Sequence, residues 1–169
     1  MHKYIYYFGK TLSEGDAGMT EILGGKGAHL AQMCKIGLPV PPGFTISSKI
    51  SSMHIGNESH LTQGLLEELE QNIKKLEKET GKTFGSGKNP LLLSVRSGSK
   101  ISMPGMMDTI LNLGINDEVV SSLAKSTSDP RFAYDCYRRF IEMYGSVVLE
   151  ISHYNFERIL EEIKEVSGA

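Results

Sequence analysis

The sequence predicts an α+β (α/β) protein in two parts, with strands and helices mixed up to about residue 115 and helices alone after it. Residues 3–8 (KYIYYF) and 91–95 (LLLSV) have the aromatic, branched and aliphatic side chains of strands. From Leu65 onwards, apolar residues recur at helical spacing. We therefore expect an α/β subdomain with a mixed sheet and flanking helices at 1–115, and an incomplete all-helical subdomain at 116–169.

A glycine-interrupted helical pattern follows the first strand. Apolar residues recur at helical spacing between Thr20 and Ile36, but Gly24, Gly25 and Gly27 break the pattern. We expect a turn at these glycines and then a helix over about 28–36. Gly37 is placed to end that helix in the left-handed conformation.

The rest of the first part alternates strands with one long helix. A proline-rich turn leads to a strand at about 44–47, and residues 48–61 carry no firm pattern. The stripe Leu65, Leu66, Leu69, Ile73 and Leu76 predicts an amphipathic helix whose charged residues form a solvated face. Strands are expected at 91–95 and at about 109–113.

Helix-capping residues dominate the second part. Asn116 or Asp117 is placed to cap a short helix, and Asp129 followed by Pro130 opens a longer one. Asn155 is placed to open a third helix.

Composition excludes several classes of function. The 18 Lys and Arg residues do not exceed the 20 Asp and Glu residues, so nucleic acid is not an expected partner. No segment has the pattern of a signal peptide or the roughly 18 apolar residues of a membrane span, so we expect a cytoplasmic protein and no membrane partner. Cys34 and Cys136 lie far apart in helical patterns, which favours reduced, buried thiols.

The stretch LGGKGAHL, residues 23–30, has the residue types of a phosphate-binding turn. Glycines let backbone N–H groups approach an anion, a helix amino terminus adds partial positive charge, and Lys26 supplies a mobile cation. The stretch is not a Walker A motif, because Thr20 stands at the first required glycine and Gly27 follows the lysine. The alternative is an ordinary glycine turn with a solvated lysine. His29 lies one turn further on, either near the phosphates or simply exposed.

Arg96 stands at the end of the strand predicted at 91–95, which we expect to be largely buried. A buried guanidinium needs a partner, either a structural carboxylate or a phosphate of a ligand, and the sequence leaves both possibilities open. The histidines show no metal-ligand spacing, so no metal site is predicted in the chain itself.

The segment after Arg96 suits a lid over a nucleotide. Ser97, Gly98, Ser99, Lys100 and Ser102 offer hydroxyls, backbone donors and a cation. Pro104 and Gly105 force a bend, while Met103, Met106 and Met107 either fill a core or form the apolar side of a lid that excludes water. Asp108 either holds the lid or begins the next strand.

Three stretches resemble the amino-terminal nucleotide-binding region of the pyruvate, phosphate dikinase family. They are EGDAGMTEILGGKGAHLAQMCKIGLPVPPGFTIS, PLLLSVRSGSKISMPGMMDTILNLGINDE and DPRFAYDCYRRFIEMYGSVV, which together cover nearly the whole chain. Phosphoenolpyruvate synthases and glucan water dikinases share the GGK and VRS-type elements, whereas SMPGMMDT is similar to the pyruvate, phosphate enzymes. A fragment of such a related dikinase is the alternative identity.

The resemblance implies an ATP-grasp fold, in which two α/β lobes close on ATP. It also implies that a histidine on a swivelling domain takes a pyrophosphoryl group from ATP, phosphate then leaves with one phosphoryl as pyrophosphate, and the phosphohistidine converts pyruvate to phosphoenolpyruvate. By the same likeness Lys26 and Arg96 are the catalytic phosphate-binding cations. The nucleotide-binding residues implied are Gly24, Gly25, Lys26, Gly27, Arg96, Ser97, Ser102, Met103, Gly105, Asp108 and Thr109.

Other parts of the family pattern are not found in these 169 residues. They are the Thr-Ser-His segment, the second lobe that is expected to supply the Mg²⁺ ligands and the adenine pocket, and the pyruvate-binding barrel. We therefore expect a fragment that is inactive alone, of a parent that is a homo-oligomer. Phosphate and pyruvate would reach the parent only through the other domains. The alternatives are a non-catalytic nucleotide-binding module and a folded scaffold that binds nothing.

Overall fold

The computed structural model describes residues 3–53, 63–98 and 109–168. The chain divides into two compact units: unit 1 comprises Met1–Lys82 and Ser97–Met107, and unit 2 comprises Thr83–Arg96 and Asp108–Ala169. The predicted subdomains 1–115 and 116–169 follow other boundaries and stay a prediction. Within the described ranges, no helix has both the length and the apolar character needed to span a bilayer.

The described residues of unit 1 form one small sheet and three helices. Strand β1, Ile5–Phe8, pairs antiparallel with β2, Gly43–Ile46, so that Ile5 lies opposite Ile46 and Phe8 opposite Gly43. Both strands confirm the sequence prediction. The helices are α1 (Thr20–Lys35), α2 (Ser48–Met53) and α3 (Gln63–Thr80).

Helix α3 confirms the predicted amphipathic helix, and Leu65 and Leu76 are buried. Its charged residues do not all form a solvated face, because Glu68 Oε2 accepts hydrogen bonds from the backbone N–H groups of Tyr4 (3.0 Å) and Ile5 (2.8 Å). This carboxylate joins α3 to the start of β1. The helical pattern could not show it, since the partners lie more than 60 residues away.

Unit 2 begins with four short strands. Strand β3, Thr83–Phe84, pairs parallel with β4, Pro90–Leu91, and β5, Leu93–Arg96, pairs antiparallel with β6, Thr109–Leu113. The expected strand at 91–95 is therefore split at Leu92, and the strand expected at 109–113 is confirmed. In the described part of the chain the strands form separate two-stranded sheets rather than one mixed sheet.

Three helices complete unit 2: α4 (Asp117–Thr127), α5 (Pro130–Val147) and α6 (His153–Ser167). Asn116 Oδ1 accepts from Val119 N at 2.9 Å, and Asp129 Oδ1 accepts from Phe132 N at 2.9 Å. Both predicted caps are thus confirmed, the first at Asn116. The prediction that Asn155 opens α6 is wrong, because Ser152 precedes the helix and Asn155 lies inside it.

The core of unit 2 is shared by strands and helices. Ile115, Val119, Val120 and Ala133 are buried, and Leu92 packs against them from the strand region. The side-chain amide of Asn112 on β6 donates to the carbonyl of Cys136 on α5 at 3.2 Å. Helices and small sheets together make this an α+β structure.

Candidate functional site

The first candidate element is the glycine-rich segment in α1. The sequence predicts a turn at 24–27 and a helix from Ala28, but the helix already begins at Thr20 and is only kinked, at Gly24. Gly24 has φ 67° and ψ 167°, a combination that is essentially restricted to glycine. Residues 25–35 therefore form a helical segment that starts immediately after the kink. The predicted left-handed Gly37 is confirmed, with φ 83°.

The three glycines of this segment have three different surroundings. Gly24 is buried and provides the kink. Gly27 is also buried, and a Cβ built there would lie 2.7 Å from Thr45 Oγ1 and 2.8 Å from Thr45 Cγ2 on β2. A Cβ built on Gly25 would meet no heavy atom of the described residues within 4 Å. Gly25 is thus the only one of the three at which a ligand has room to approach the backbone.

Lys26 follows Gly25 and is exposed. The next residue, Gly27, packs against Thr45 on β2, so the helical turn that carries Lys26 lies against the β1–β2 sheet. Ser48 Oγ donates to the carbonyl of Glu21 at 2.6 Å, which holds the part of α1 before the kink. His29 is exposed, which is one of the two alternatives that the sequence left open.

Thr45 and Ser48 are the residues of this region that the sequence analysis missed. Both act through contacts across about 20 residues or more, which helical spacing does not show. A glycine within a helical pattern was the available signal, because glycine at such a position often permits close approach of another element. Gly27 meets that description.

Titratable side chains near the β1–β2 sheet have structural roles. Burial, followed by the hydrogen bond to Glu79 (3.1 Å), raises the pKa of the Tyr7 hydroxyl, and burial raises the pKa of the Cys34 thiol. Both groups are therefore neutral at pH 7, and neither is activated as a nucleophile.

The second candidate element is Arg96 at the end of β5. The expectation of a largely buried strand is wrong here, since Ser94, Val95 and Arg96 are exposed and only Leu93 is partly buried. The physical reason is that β5 pairs with β6 alone in the described residues, so one edge and much of its surface stay open. Arg96 takes part in none of the ion pairs of the described residues, which removes the argument for a structural carboxylate within that part of the chain.

The residues that follow Arg96 in the chain are also exposed. Ser97 and Gly98 are exposed, and a Cβ on Gly98 would meet no heavy atom within 4 Å. Thr109 is directly opposite Arg96 in the β5–β6 register. Ser102, Met103, Gly105 and Asp108 lie outside the described residues, with the rest of 99–108.

The structure thus groups the predicted residues in two sets. Gly24, Gly25, Lys26 and Gly27 are together on α1 of unit 1, whereas Arg96 and Thr109 are paired in unit 2. That the two cations meet at one anion stays a prediction. No cluster of three or more His, Cys, Asp or Glu side chains suited to a metal ion occurs in the described ranges, so the Mg²⁺ prediction is not tested by them.

Curated proteins similar to this chain carry one function in their names. The chain is 52% identical over 166 residues to pyruvate, phosphate dikinase, chloroplastic, of Mesembryanthemum crystallinum, 54% over 164 residues to pyruvate, phosphate dikinase of Rickettsia bellii, and 48% over 168 residues to that of Clostridium symbiosum. The matches cover 98%, 97% and 99% of this chain but 17%, 19% and 19% of the relatives. The chain therefore spans about a fifth of the length of the curated relatives it matches.

A family model gives the same result for the central part of the chain. The model, described as pyruvate phosphate dikinase, AMP/ATP-binding domain, matches residues 57–157, more than half of the 169 residues. The matched range includes Arg96 and Thr109, and the longer matches to the relatives also take in the glycine segment. The chain belongs to the pyruvate phosphate dikinase AMP/ATP-binding domain family.

Proposed function

We propose that this chain is part of the ATP site of a pyruvate, phosphate dikinase with an ATP-grasp fold, and that Lys26 and Arg96 bind the phosphates of the nucleotide. The observation that carries the proposal is the open surface at Gly25 and Lys26, where a helical segment starts at a glycine kink with an exposed cation beside it. Membership of an AMP/ATP-binding domain family supports a nucleotide as the ligand.

Each candidate side chain has a distinct part in this site. Lys26 acts as a mobile point charge, while the planar guanidinium of Arg96 binds two phosphate oxygens at once. Gly25 lets the backbone approach the phosphates, and the kink at Gly24 directs the following N–H groups towards them. Preorganised cations of this kind stabilise the charge that develops when a phosphoryl group is transferred.

The segment after β5 is the proposed phosphate loop. The loop comprises residues 97–108, on which Ser97, Ser102, Met103, Gly105 and Asp108 lie, and Thr109 follows it, opposite Arg96. Its hydroxyls and backbone donors would contact phosphate oxygens, and its methionines would exclude water when the loop closes. The exposed Ser97 and the open space at Gly98 support a site that is accessible from solvent on this side.

The proposed activity of the complete protein is the conversion of ATP, phosphate and pyruvate to AMP, pyrophosphate and phosphoenolpyruvate through a phosphohistidine. This chain contributes nucleotide binding to that reaction, and the remaining steps belong to other parts of the parent. Mg²⁺ would neutralise phosphate charge during the transfer, with ligands from the second lobe. The parent is proposed to be a cytoplasmic homo-oligomer.

A full-length chimera tests the role of Lys26. This chain replaces the matched region of the Rickettsia bellii enzyme, and ATP-dependent synthesis of phosphoenolpyruvate is measured. Lys26→Ala is expected to lower kcat roughly 100-fold or more, because one preorganised charge at the transferring group is lost. Lys35→Ala is the matched control, since Lys35 is exposed on the same helix and only contacts Asp16 at 3.5 Å. Ordinary activity of Lys26→Ala would refute the role.

The same chimera tests Arg96. Arg96→Ala is expected to reduce activity by a similar factor without affecting folding, because the side chain is exposed and forms no ion pair among the described residues. Arg131→Ala, at an exposed position in the first turn of α5, is the control. If Arg96→Lys retains full activity, the bidentate contact is wrong even if the charge is needed.

Calorimetric titration of the 169-residue chain with MgATP separates this function from that of an autonomous nucleotide-binding module. The chain carries only part of the proposed ATP site, so we expect its affinity for MgATP to be weaker than the micromolar range. Micromolar binding that Lys26→Ala abolishes would favour the binding module instead.

A further inference from the structure

Exposed large apolar side chains are concentrated on α5, α6 and the segment between them. Val166 is 91% exposed, Tyr154 is 67% exposed, and Leu149 and Ile163 are each 58% exposed. Helix α6 has no buried residue along its whole length. We call this region the α5–α6 face; its exposed members are Phe132, Tyr134, Ile141, Tyr144, Val148, Leu149, Ile151, Tyr154, Ile159, Ile163 and Val166.

Helix α6 is seated on α5 in a defined orientation. The ring of Phe156 lies directly over Gly145, which is buried on α5. At the start of α6, His153 Nδ1 lies 3.0 Å from Glu142 Oε1. Both contacts join the first turn of α6 to α5.

Between the two helices lies a groove of about 300 Å³ with an almost wholly apolar lining. Tyr134, Ile141, Phe156, Ile159 and Leu160 are among the residues that line it. The charged groups at its edge already have partners, since Arg138 contacts Asp135 at 2.9 Å and Glu142 at 2.7 Å. The groove thus requires an apolar occupant and offers no unpaired charge to a polar one.

The apolar side of α6 is separate from its charged side. Ile159, Ile163 and Val166 recur at spacings of four and three residues, and Arg158 and Glu162 pair with each other at 2.7 Å on another part of the helix. Monomeric proteins rarely leave contiguous apolar surface of this kind open to water. Aliphatic surface with paired charges resembles a domain core that has been cut in half, as in obligate interfaces.

The lengths of the relatives identify the occupant. The matches take in 97–99% of this chain, yet more than four fifths of each relative lies outside the match. We propose that the α5–α6 face is an intramolecular interface, on which an apolar helix or strand from the parent polypeptide outside the matched region packs into the groove. The inference rests on the proposed function in that the chain is taken as part of a longer dikinase, but it does not depend on nucleotide binding.

Thiol labelling compares the face in the 169-residue chain and in the full-length Rickettsia bellii chimera. Val166→Cys is expected to react with a maleimide rapidly in the isolated chain and at least roughly tenfold more slowly in the chimera, because the thiol becomes covered. Glu161→Cys, on the charged side of α6, is the control and should react equally in both. Cys34 and Cys136 are partly buried, and the unsubstituted chain gives their background rate of labelling.

Equal labelling of Val166→Cys in the two proteins would overturn the proposal. Labelling of the isolated chain that slows with rising protein concentration would overturn it in favour of a second copy of this chain, and slow labelling of a monomeric isolated chain would show that the chain covers its own face. None of these readouts depends on ATP, so a failure here is distinct from a failure of the proposed function.

Ile163→Glu provides an independent measurement. In the isolated chain the substitution should leave resistance to proteolysis unchanged. In the chimera it should raise the rate of cleavage within α5 and α6 roughly tenfold, because the covering segment cannot pack over a buried, unpaired carboxylate. Glu161→Lys should change neither rate. An unchanged cleavage rate for Ile163→Glu in the chimera would contradict the interface.

Discussion

At the scale of single residues, the three glycines of the α1 segment differ in what the fold requires of them. Gly24 has a backbone conformation that other residues rarely adopt, and Gly27 gives β2 room to approach α1. Gly25 has neither constraint. A pattern of three glycines looks uniform in a sequence, although packing and backbone conformation account for only two of these positions.

Gly25→Ala and Gly27→Ala form a matched pair for stability. Gly27→Ala is expected to destabilise the chain by about 1–3 kcal/mol, because its methyl group meets the stiff, branched side chain of Thr45. Gly25→Ala should be neutral or stabilising by up to about 1 kcal/mol, since alanine favours the helix and has open space. Urea unfolding measures both. Equal destabilisation by the two changes would contradict these surroundings.

For activity we expect the opposite order, with Gly25→Ala more damaging than Gly27→Ala. In the chimera, Gly25→Ala is expected to raise the KM for ATP at least roughly tenfold, as a methyl group would occupy the approach to the phosphates. Thr45→Ser removes the methyl group that a side chain at Gly27 would meet, and in combination with Gly27→Ala it should restore part of the lost stability. An unchanged KM for Gly25→Ala would exclude close contact of this glycine with the nucleotide.

Glu14 is a residue whose charge supports β1. Burial alone would raise the pKa of its carboxyl group, but the hydrogen bonds from Lys3 Nζ (2.7 Å) and Tyr7 N (2.7 Å) outweigh burial and lower that pKa below its ordinary value of 4.5. A lowered pKa in the folded state contributes stability above the ordinary pKa, and this contribution is lost as the pH falls through the folded-state pKa.

We therefore expect Glu14→Gln to lower the free energy of unfolding by about 1 kcal/mol at pH 7, because the exposed Lys3 is screened by solvent and the amide can still accept from Tyr7 N. The difference in the free energy of unfolding between Glu14→Gln and the unsubstituted chain should shrink below pH 4. Glu70→Gln, at an exposed position on α3, is the control. A difference that grows towards acid would contradict the sign of the pKa shift.

At the scale of elements, α5 depends on its cap. Asp129 Oδ1 accepts from Phe132 N at 2.9 Å, and Pro130 occupies the first helical position. Asp129→Ala is expected to cost about 1 kcal/mol, whereas Asp129→Asn should cost much less, because an asparagine oxygen caps equally well. Chemical unfolding followed by circular dichroism distinguishes them. If the asparagine variant loses as much as the alanine variant, the negative charge rather than the hydrogen bond stabilises this end.

The elements that the sequence predicts well are those encoded locally. The caps at Asn116 and Asp129, the stripe of α3 and the strand at 109–113 all follow from neighbouring residues. The split of 91–95 between two sheets does not, since Pro90 and Leu91 pair with β3 while the next residues pair with β6.

The candidate site shows the same limit. Residue types identified Lys26 and Arg96, but the exposure of Arg96 depends on which strands cover β5, and the role of Gly27 depends on Thr45 from another element. Such facts follow from pairing and packing between distant segments. Ser102, Met103, Gly105 and Asp108 lie outside the described residues, and their roles stay predictions.

At the scale of the whole molecule, charge and apolar surface act together. The net charge is −2 at pH 7 and the calculated isoelectric point is about 6.2, so electrostatic repulsion between copies is weak at neutral pH and weakest slightly below it. Electrostatic repulsion therefore does little to oppose nonspecific association of isolated chains through the α5–α6 face.

Light scattering of the isolated chain should therefore rise with concentration most steeply near pH 6.2 and fall by pH 8. Ile163→Glu should reduce the scattering at pH 8, because it removes apolar surface and adds negative charge on the α5–α6 face. Leu12→Glu, which adds the same charge at an exposed apolar position of unit 1, separates the two effects. If both variants reduce scattering equally, net charge alone governs association; a larger effect of Ile163→Glu assigns it to the face.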